Sequence, residues 1–131
     1  MLSLETFRLF IHVLAATVWV GGQITLAALV PALRAAGAEV PKAAANAFNR
    51  IAWPAFFVLI ATGVWNVIAD HNQNHGSWAA VLGVKYVLVL ASGGTAYAHA
   101  HAKTKKQMAI FGALTGLTAL GALFVGMMLA A

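Results

Sequence analysis

The distribution of charged residues is the feature that most constrains the fold of this chain. No Lys, Arg, Asp or Glu occurs at residues 9–33, 51–69 or 107–131, and residues 78–98 contain a single charge, Lys85. An α-helix crosses the hydrocarbon core of a bilayer with about 20 apolar residues. Because these stretches lack the alternating pattern of a membrane β-barrel, they predict helices. The expected fold is an all-α integral membrane protein, a four-helix bundle with short loops.

Four predicted spans fill almost the whole chain, so we expect residues 1–131 to form a single domain. Pro31 is expected to end the first span, because proline lacks the backbone N–H that a helix interior uses. Pro41 suits a first helical turn and predicts a short helix before the second span. The chain contains no cysteine, which excludes disulfides, thiolate metal sites and iron–sulfur clusters. The predicted spans cover about residues 4–30, 51–69, 78–99 and 107–130.

The basic residues predict the orientation of the spans. Six of the eight Lys and Arg residues lie in the first and third predicted loops, and none lies in the second. The positive-inside rule places the first and third loops in the cytoplasm, so both termini are expected to be extracytoplasmic. This topology predicts a multi-pass membrane protein with the lipid bilayer as its main partner. The net charge of +5 lies mostly beside the spans and does not indicate nucleic acid binding.

Each predicted span has a few polar residues at helical spacing, so that they share one face. Lipid penalises polar groups, and these faces are expected to point into the bundle. Counted in turns from the charged rims, His12, Asn66 and Lys85 lie in the outer half of the membrane and form a candidate outer site. The faces consist of His12, Trp19 and Gln23 on the first span, Thr62 and Asn66 on the second, Lys85, Ser92 and His99 on the third, and Thr115 and Thr118 on the fourth.

Lys85 and His12 are the two strongest candidates for functional residues. An ammonium group near the middle of a span costs about 2.5–3.5 kcal/mol on insertion scales, unless its long stem reaches the interface. Lys85 is therefore either an interfacial side chain or a counter-charge for an anionic group such as a propionate. A neutral imidazole ligates haem iron, copper or zinc. His12 is thus either such a ligand or a structural residue that hydrogen-bonds a neighbouring helix.

The other histidines and Trp19 also allow two interpretations. His71 and His75 belong either to a solvated loop or to a weak metal-collecting site. His99 is either a ligand or an interfacial residue, and His101 is too close in sequence to share its face. Trp19 packs either against a flat cofactor or in the protein core. A weaker second cluster toward the inner face consists of Gln23, Tyr97 and His99.

Three segments together resemble known families of membrane proteins. The first span reads HVLAATVWVGG from His12 to Gly22, the second ends with TGVWN from Thr62 to Asn66, and the third begins with WAAVLGVK from Trp78 to Lys85. This pattern resembles the membrane domain of the copper resistance D (CopD-like) family. It is also similar to HemJ-type protoporphyrinogen oxidases. The Gly-Gly pair that ends the first segment is closer to the CopD-like pattern.

The two resemblances imply different chemistry. CopD-like proteins are associated with copper uptake or tolerance across the inner membrane, so this resemblance implies a multi-pass protein of a bacterial inner (plasma) membrane. HemJ-type proteins are associated with haem b and the oxidation of protoporphyrinogen IX. The second resemblance implies that His12 is a haem ligand and Lys85 its functional partner. The favoured hypothesis is therefore b-type haem bound inside the bundle, with an electron-transfer or tetrapyrrole-related redox role. Any enzymatic activity would then be that of an oxidoreductase.

Two alternative functions stay open at this point. In copper transport or homeostasis, His71 and His75 would collect the ion, although a protonated Lys85 would repel it in a low-dielectric site. In the other alternative, the chain is an accessory structural subunit of a larger membrane redox complex or of a homo-oligomer.

Overall fold

The computed structural model describes residues 1–69 and 77–130, and every regular element in this part of the chain is helical. Four helical stretches are long and apolar enough to cross a membrane. The predicted all-α class with four membrane-length helices is therefore confirmed. The elements are α1 (Leu4–Ala16), a π-helical turn (Thr17–Gly21), α2 (Gly22–Ala36), α3 (Val40–Ala69), α4 (Trp78–Ala100) and α5 (Lys105–Ala130).

The first membrane-length helix is longer than predicted and runs through Pro31. It spans Leu4–Ala36 when α1, the π turn and α2 are taken together. At its start, the Ser3 hydroxyl accepts a backbone N–H of the first turn at 3.1 Å. At its end, the Gly37 N–H donates to the Arg34 carbonyl at 3.2 Å. The predicted end at Pro31 is wrong, because membrane helices tolerate the loss of one backbone hydrogen bond at a proline.

The second membrane-length helix, α3, begins at Val40, well before the predicted boundary. Pro41 occupies its first turn as predicted, but the short helix expected there is continuous with the span. Charged residues such as Lys42 and Arg50 limit the membrane-embedded part of a helix and not the helix itself. This explains why α3 begins well before the predicted span. The ends of α4 and α5 agree closely with the predicted third and fourth spans.

A π-helical turn interrupts the first helix at Thr17–Gly21. A π turn holds about one residue more than an α turn, so side chains beyond it are displaced by about one position. Trp19 and Val20 within this turn are buried, with 4% and 8% exposure. The predicted face that joins His12 to Gln23 is therefore broken at this turn.

The described chain divides into two compact units, and each is described by itself. In the first unit, α1 and α2 pack against α3. In the second unit, α4 and α5 pack as an antiparallel hairpin. Glycines allow close approach in both units, since a Cβ at Gly22 would overlap the Phe48 ring and a Cβ at Gly121 would lie 3.4 Å from Leu88. Small residues of this kind are typical of contacts between membrane helices.

Large apolar side chains are exposed along the membrane-length helices. Phe7, Phe57, Val87 and Phe124 are each 60% exposed or more. A soluble protein rarely presents such extended apolar surface to water, whereas the same side chains are well solvated by hydrocarbon. Together with the lengths of the helices, this surface indicates a multi-pass protein in a lipid bilayer.

Candidate functional site

A hydrogen bond joins His12 on α1 to Thr62 on α3. The His12 Nδ1 and Thr62 Oγ1 atoms are 2.7 Å apart, and Thr62 is 6% exposed. The imidazole also lies over Gly63, where an added Cβ would be 3.6 Å from the ring Cε1 atom. Both partners belong to predicted polar faces, so the expectation that these faces point inward holds for this pair.

The hydrogen bonds of Thr62 determine which nitrogen of His12 has the proton. Thr62 Oγ1 lies 2.7 Å from the Val58 carbonyl oxygen, and a carbonyl oxygen only accepts hydrogen bonds. The single hydroxyl hydrogen of Thr62 therefore points to Val58, and Thr62 Oγ1 accepts the His12 Nδ1–H. In the neutral ring, Nε2 is then the acceptor nitrogen. Histidines that ligate metals through Nε2 commonly have such an orienting bond at Nδ1.

Arg8 and Asn66 extend this polar line by one helical turn. Arg8 precedes His12 by four residues and Asn66 follows Thr62 by four, so they lie opposite each other between α1 and α3. The Arg8 Nε and Asn66 Oδ1 atoms are buried and have no hydrogen-bond partner in the described part of the chain. Buried polar atoms without partners are rare in native proteins. Asn66 was among the predicted site residues and Arg8 was not, although the spacing of four residues between Arg8 and His12 places both on one helical face.

Trp19 is part of an aromatic cluster in the first unit. Its ring centroid lies 4.6 Å from that of Phe56 and 5.4 Å from that of Trp53. The ring centroids of Trp53 and Phe57 are 6.4 Å apart. These contacts agree with the core-packing interpretation of Trp19.

Gln23 lies beyond the π turn, and its predicted alignment with His12 is wrong for that reason. The two residues are 11 positions apart, about 16 Å along an α-helix. The Gln23 Nε2 atom is buried and lacks a hydrogen-bond partner among the described residues. Gln23 is thus separate from the His12 site.

The polar faces of α4 and α5 meet inside the second unit. Ser92 and Thr115 are 1% and 5% exposed, and Ser92 Oγ donates to the Thr115 carbonyl at 3.4 Å. Thr115 Oγ1 lies 2.8 Å from the Phe111 carbonyl oxygen and 2.9 Å from Thr95 Oγ1, so these two acceptors share its single hydrogen, and Thr95 Oγ1 donates to the Ala91 carbonyl at 2.7 Å. The predicted inward direction is confirmed for Ser92 and Thr115. Because these groups satisfy one another, their role is structural.

Lys85 lies on α4 against α5. Its Nζ atom is 3.2 Å from the position of a Cβ on Gly126, and it has no hydrogen-bond or ion-pair partner among residues 1–69 and 77–130. The missing partner agrees with the counter-charge alternative, and the interfacial alternative stays open.

His99 has the same ring tautomer as His12. Its Nδ1 lies 2.7 Å from the Met108 carbonyl oxygen, so Nδ1–H donates and Nε2 is the acceptor nitrogen. The ring packs on Gly112, where a Cβ would be 3.1 Å from Cε1. His101 instead stacks on Tyr97 with centroids 4.3 Å apart, and its Nδ1 is 3.0 Å from the Tyr97 carbonyl. The two histidines thus have different surroundings, as predicted.

The remaining predicted metal ligands, His71 and His75, lie outside the described residues. Within residues 1–69 and 77–130, no three or more His, Cys, Asp or Glu side chains are grouped so that they could hold a metal ion. The predicted outer site combines His12 and Asn66 of the first unit with Lys85 of the second, and this grouping stays a prediction.

Comparisons with known proteins do not assign a family. No family model matches the chain, and no curated protein or solved structure matches it. The resemblance to CopD-like and HemJ-type proteins therefore stays an expectation from the sequence.

Proposed function

We propose that this protein binds b-type haem within the membrane through His12 and has an electron-transfer or tetrapyrrole-related redox role. The main support is the hydrogen bond from His12 Nδ1 to Thr62, whose own hydroxyl hydrogen is used on Val58. This bond orients the ring in the tautomer that has its lone pair on Nε2. Histidine with this tautomer is a common axial ligand of haem iron.

The side chains around His12 suit haem better than a bare metal ion. A structural or catalytic metal ion usually needs three or four protein ligands. Haem needs one or two protein ligands, because the porphyrin supplies the others. Arg8 is also a cation near His12, which disfavours a second cation and favours an anionic group.

Lys85 is the proposed partner of a haem propionate. Its half-buried ammonium group has no ion-pair partner in the described part of the chain, and such intramembrane charges usually have a functional role. His99 is the second candidate ligand, because its bond to the Met108 carbonyl leaves Nε2 as the acceptor. When bound, haem would supply a one-electron couple, so any enzymatic activity would be that of an oxidoreductase.

Absorbance spectra of the detergent-purified protein test this proposal. Cells are supplied with ample haem, and spectra are recorded for the oxidised and the dithionite-reduced protein. We expect a Soret band and sharpened reduced bands in the wild type and their loss in His12→Ala. His101→Ala is the matched control, because His101 also donates from Nδ1 to a carbonyl but is exposed. This control should keep the spectrum.

One result would overturn haem binding, and another would overturn the assignment of His12 as its ligand. A colourless wild type would refute haem binding. Metal analysis would then test whether the protein binds copper, as the copper-transport alternative requires. A full haem spectrum in His12→Ala would exclude His12 as the ligand and direct the search to His99. Preserved cellular function in a double variant, His12→Ala with Lys85→Ala, would instead support an accessory structural subunit.

A further inference from the structure

The pair formed by Arg8 and Asn66 has polar atoms that nothing in the described chain satisfies. The two residues lie opposite each other between α1 and α3, one turn from the bond between His12 and Thr62. The Arg8 Nε and Asn66 Oδ1 atoms are both buried and unpartnered within residues 1–69 and 77–130. They also do not bond each other, although one is a donor and the other an acceptor.

A carboxyl group is the chemistry that best fits this pair. A guanidinium donates through a rigid fork that matches the two oxygens of a carboxylate, and such charged hydrogen bonds are among the strongest in proteins. Asn66 Oδ1 accepts from the O–H of a protonated carboxyl group. For an ionised carboxylate, rotation of the same amide presents its N–H donors.

The surroundings of Arg8 indicate an amphipathic ligand. Its neighbours Phe7 and Phe10 are each 60% exposed, and Leu9 is 44% exposed. These flanking side chains are apolar and exposed, so the surface beside Arg8 favours a ligand with an apolar part. An amphipathic acid keeps its apolar part in the bilayer and brings only its carboxyl group to the pair.

We propose that Arg8 and Asn66 bind the carboxyl group of an amphipathic acid, either a porphyrin propionate or a fatty acid. Arg8 supplies the charge and the fork, and Asn66 closes the opposite side. This recognition needs no metal, so it goes beyond the ligation of iron by His12 and does not depend on it. If the ligand is a porphyrin, the site fixes one edge of the ring beside His12.

The test compares acids with their esters in binding to the purified protein in nanodiscs. The probes are metal-free protoporphyrin IX and its dimethyl ester, and cis-parinaric acid and its methyl ester, all measured by fluorescence titration. We expect at least one acid to bind about tenfold to a hundredfold more tightly than its ester, the range for a charged hydrogen bond. Arg8→Gln should reduce that ratio to about one for parinaric acid and, in a Lys85→Met background that removes the other proposed propionate partner, for the porphyrin. The control Arg34→Gln should keep the ratio in both cases.

Each outcome decides the proposal. If only the porphyrin acid binds more tightly than its ester, the ligand is a porphyrin propionate. If only parinaric acid binds more tightly than its ester, the ligand is a fatty acid. Equal binding of both acids and their esters to the wild type, or an unchanged ratio in Arg8→Gln, would overturn the proposal. If Arg8→Gln does not fold, Asn66→Leu provides the test, with a loss of about threefold or more expected and an unchanged ratio counting against the site. A colourless wild type in the absorbance experiment would refute haem ligation by His12. The expected ratio of acid to ester binding would not change, because it does not depend on iron.

Discussion

Replacing Thr62 with valine tests the hydrogen bond on which the assignment of His12 rests. Valine keeps the branched shape of a residue that is 6% exposed, but it removes the acceptor of the His12 Nδ1–H. An unsatisfied buried donor costs about 1–3 kcal/mol, and polar contacts between membrane helices contribute on average about 0.6 and at most about 1.7 kcal/mol. We therefore expect Thr62→Val to lower the free energy of unfolding by about 1–2 kcal/mol.

Titration with SDS in detergent micelles measures this free energy through tryptophan fluorescence. The signal is suitable because Trp19 and Trp53 form part of an aromatic cluster in the same unit. Thr62→Ser is the matched control, because it keeps the hydroxyl group and should retain most of the stability. In a His12→Leu background, Thr62→Val should cost about 1 kcal/mol less than in the wild type, because the shared hydrogen bond is already absent.

The ring tautomer gives a second, independent readout. The ¹⁵N chemical shifts of His12 should show a protonated Nδ1 in the wild type and in Thr62→Ser. In Thr62→Val, the preference for this tautomer should weaken. Equal losses of stability in the wild type and in His12→Leu would refute the reasoning, because the Thr62 hydroxyl would then act through Val58 alone.

Three further changes test the second unit. Ser92→Ile should overpack a site that is 1% exposed and lower the free energy of unfolding by about 1–3 kcal/mol, whereas Ser92→Ala should cost much less in the same titration. Gly112→Ala should displace the His99 ring and change its ¹⁵N shifts, because the new Cβ would lie 3.1 Å from Cε1. Gly116→Ala, whose Cβ would meet no atom within 4 Å, should leave those shifts unchanged. In the haem-free protein, Lys85→Met should raise stability by up to about 2.5 kcal/mol, and a loss of stability in that form would contradict an unpaired ammonium. In the haem-loaded protein, the same change should weaken haem retention.

The spans were predictable because a bilayer selects for one property, the absence of charge over the length of a crossing helix. The predicted helix ends were less accurate, as Pro31 and Val40 show. A proline or a charged residue changes the solvation of a helix without ending its hydrogen bonding. The π turn at Thr17–Gly21 was not predicted from the sequence.

The candidate site was partly predictable for a similar reason. His12, Thr62 and Asn66 stand out as polar residues in apolar segments. Their helical spacing places each on a face, but it does not say which residue on one helix meets which on another. Arg8 was missed because a charge near the end of a span is expected at the membrane surface, whereas its Nε atom is buried in the structure.

The sequence by itself determined the class of this protein, the number of membrane-length helices and the short set of polar residues within them. Those properties depend on composition along the chain, to which a bilayer responds directly. The tertiary structure alone decided that His12 bonds to Thr62, that this bond assigns the proton to Nδ1, and that the Arg8 Nε and Asn66 Oδ1 atoms are buried. Such pairings depend on the register between helices, which is set by packing contacts far apart in sequence.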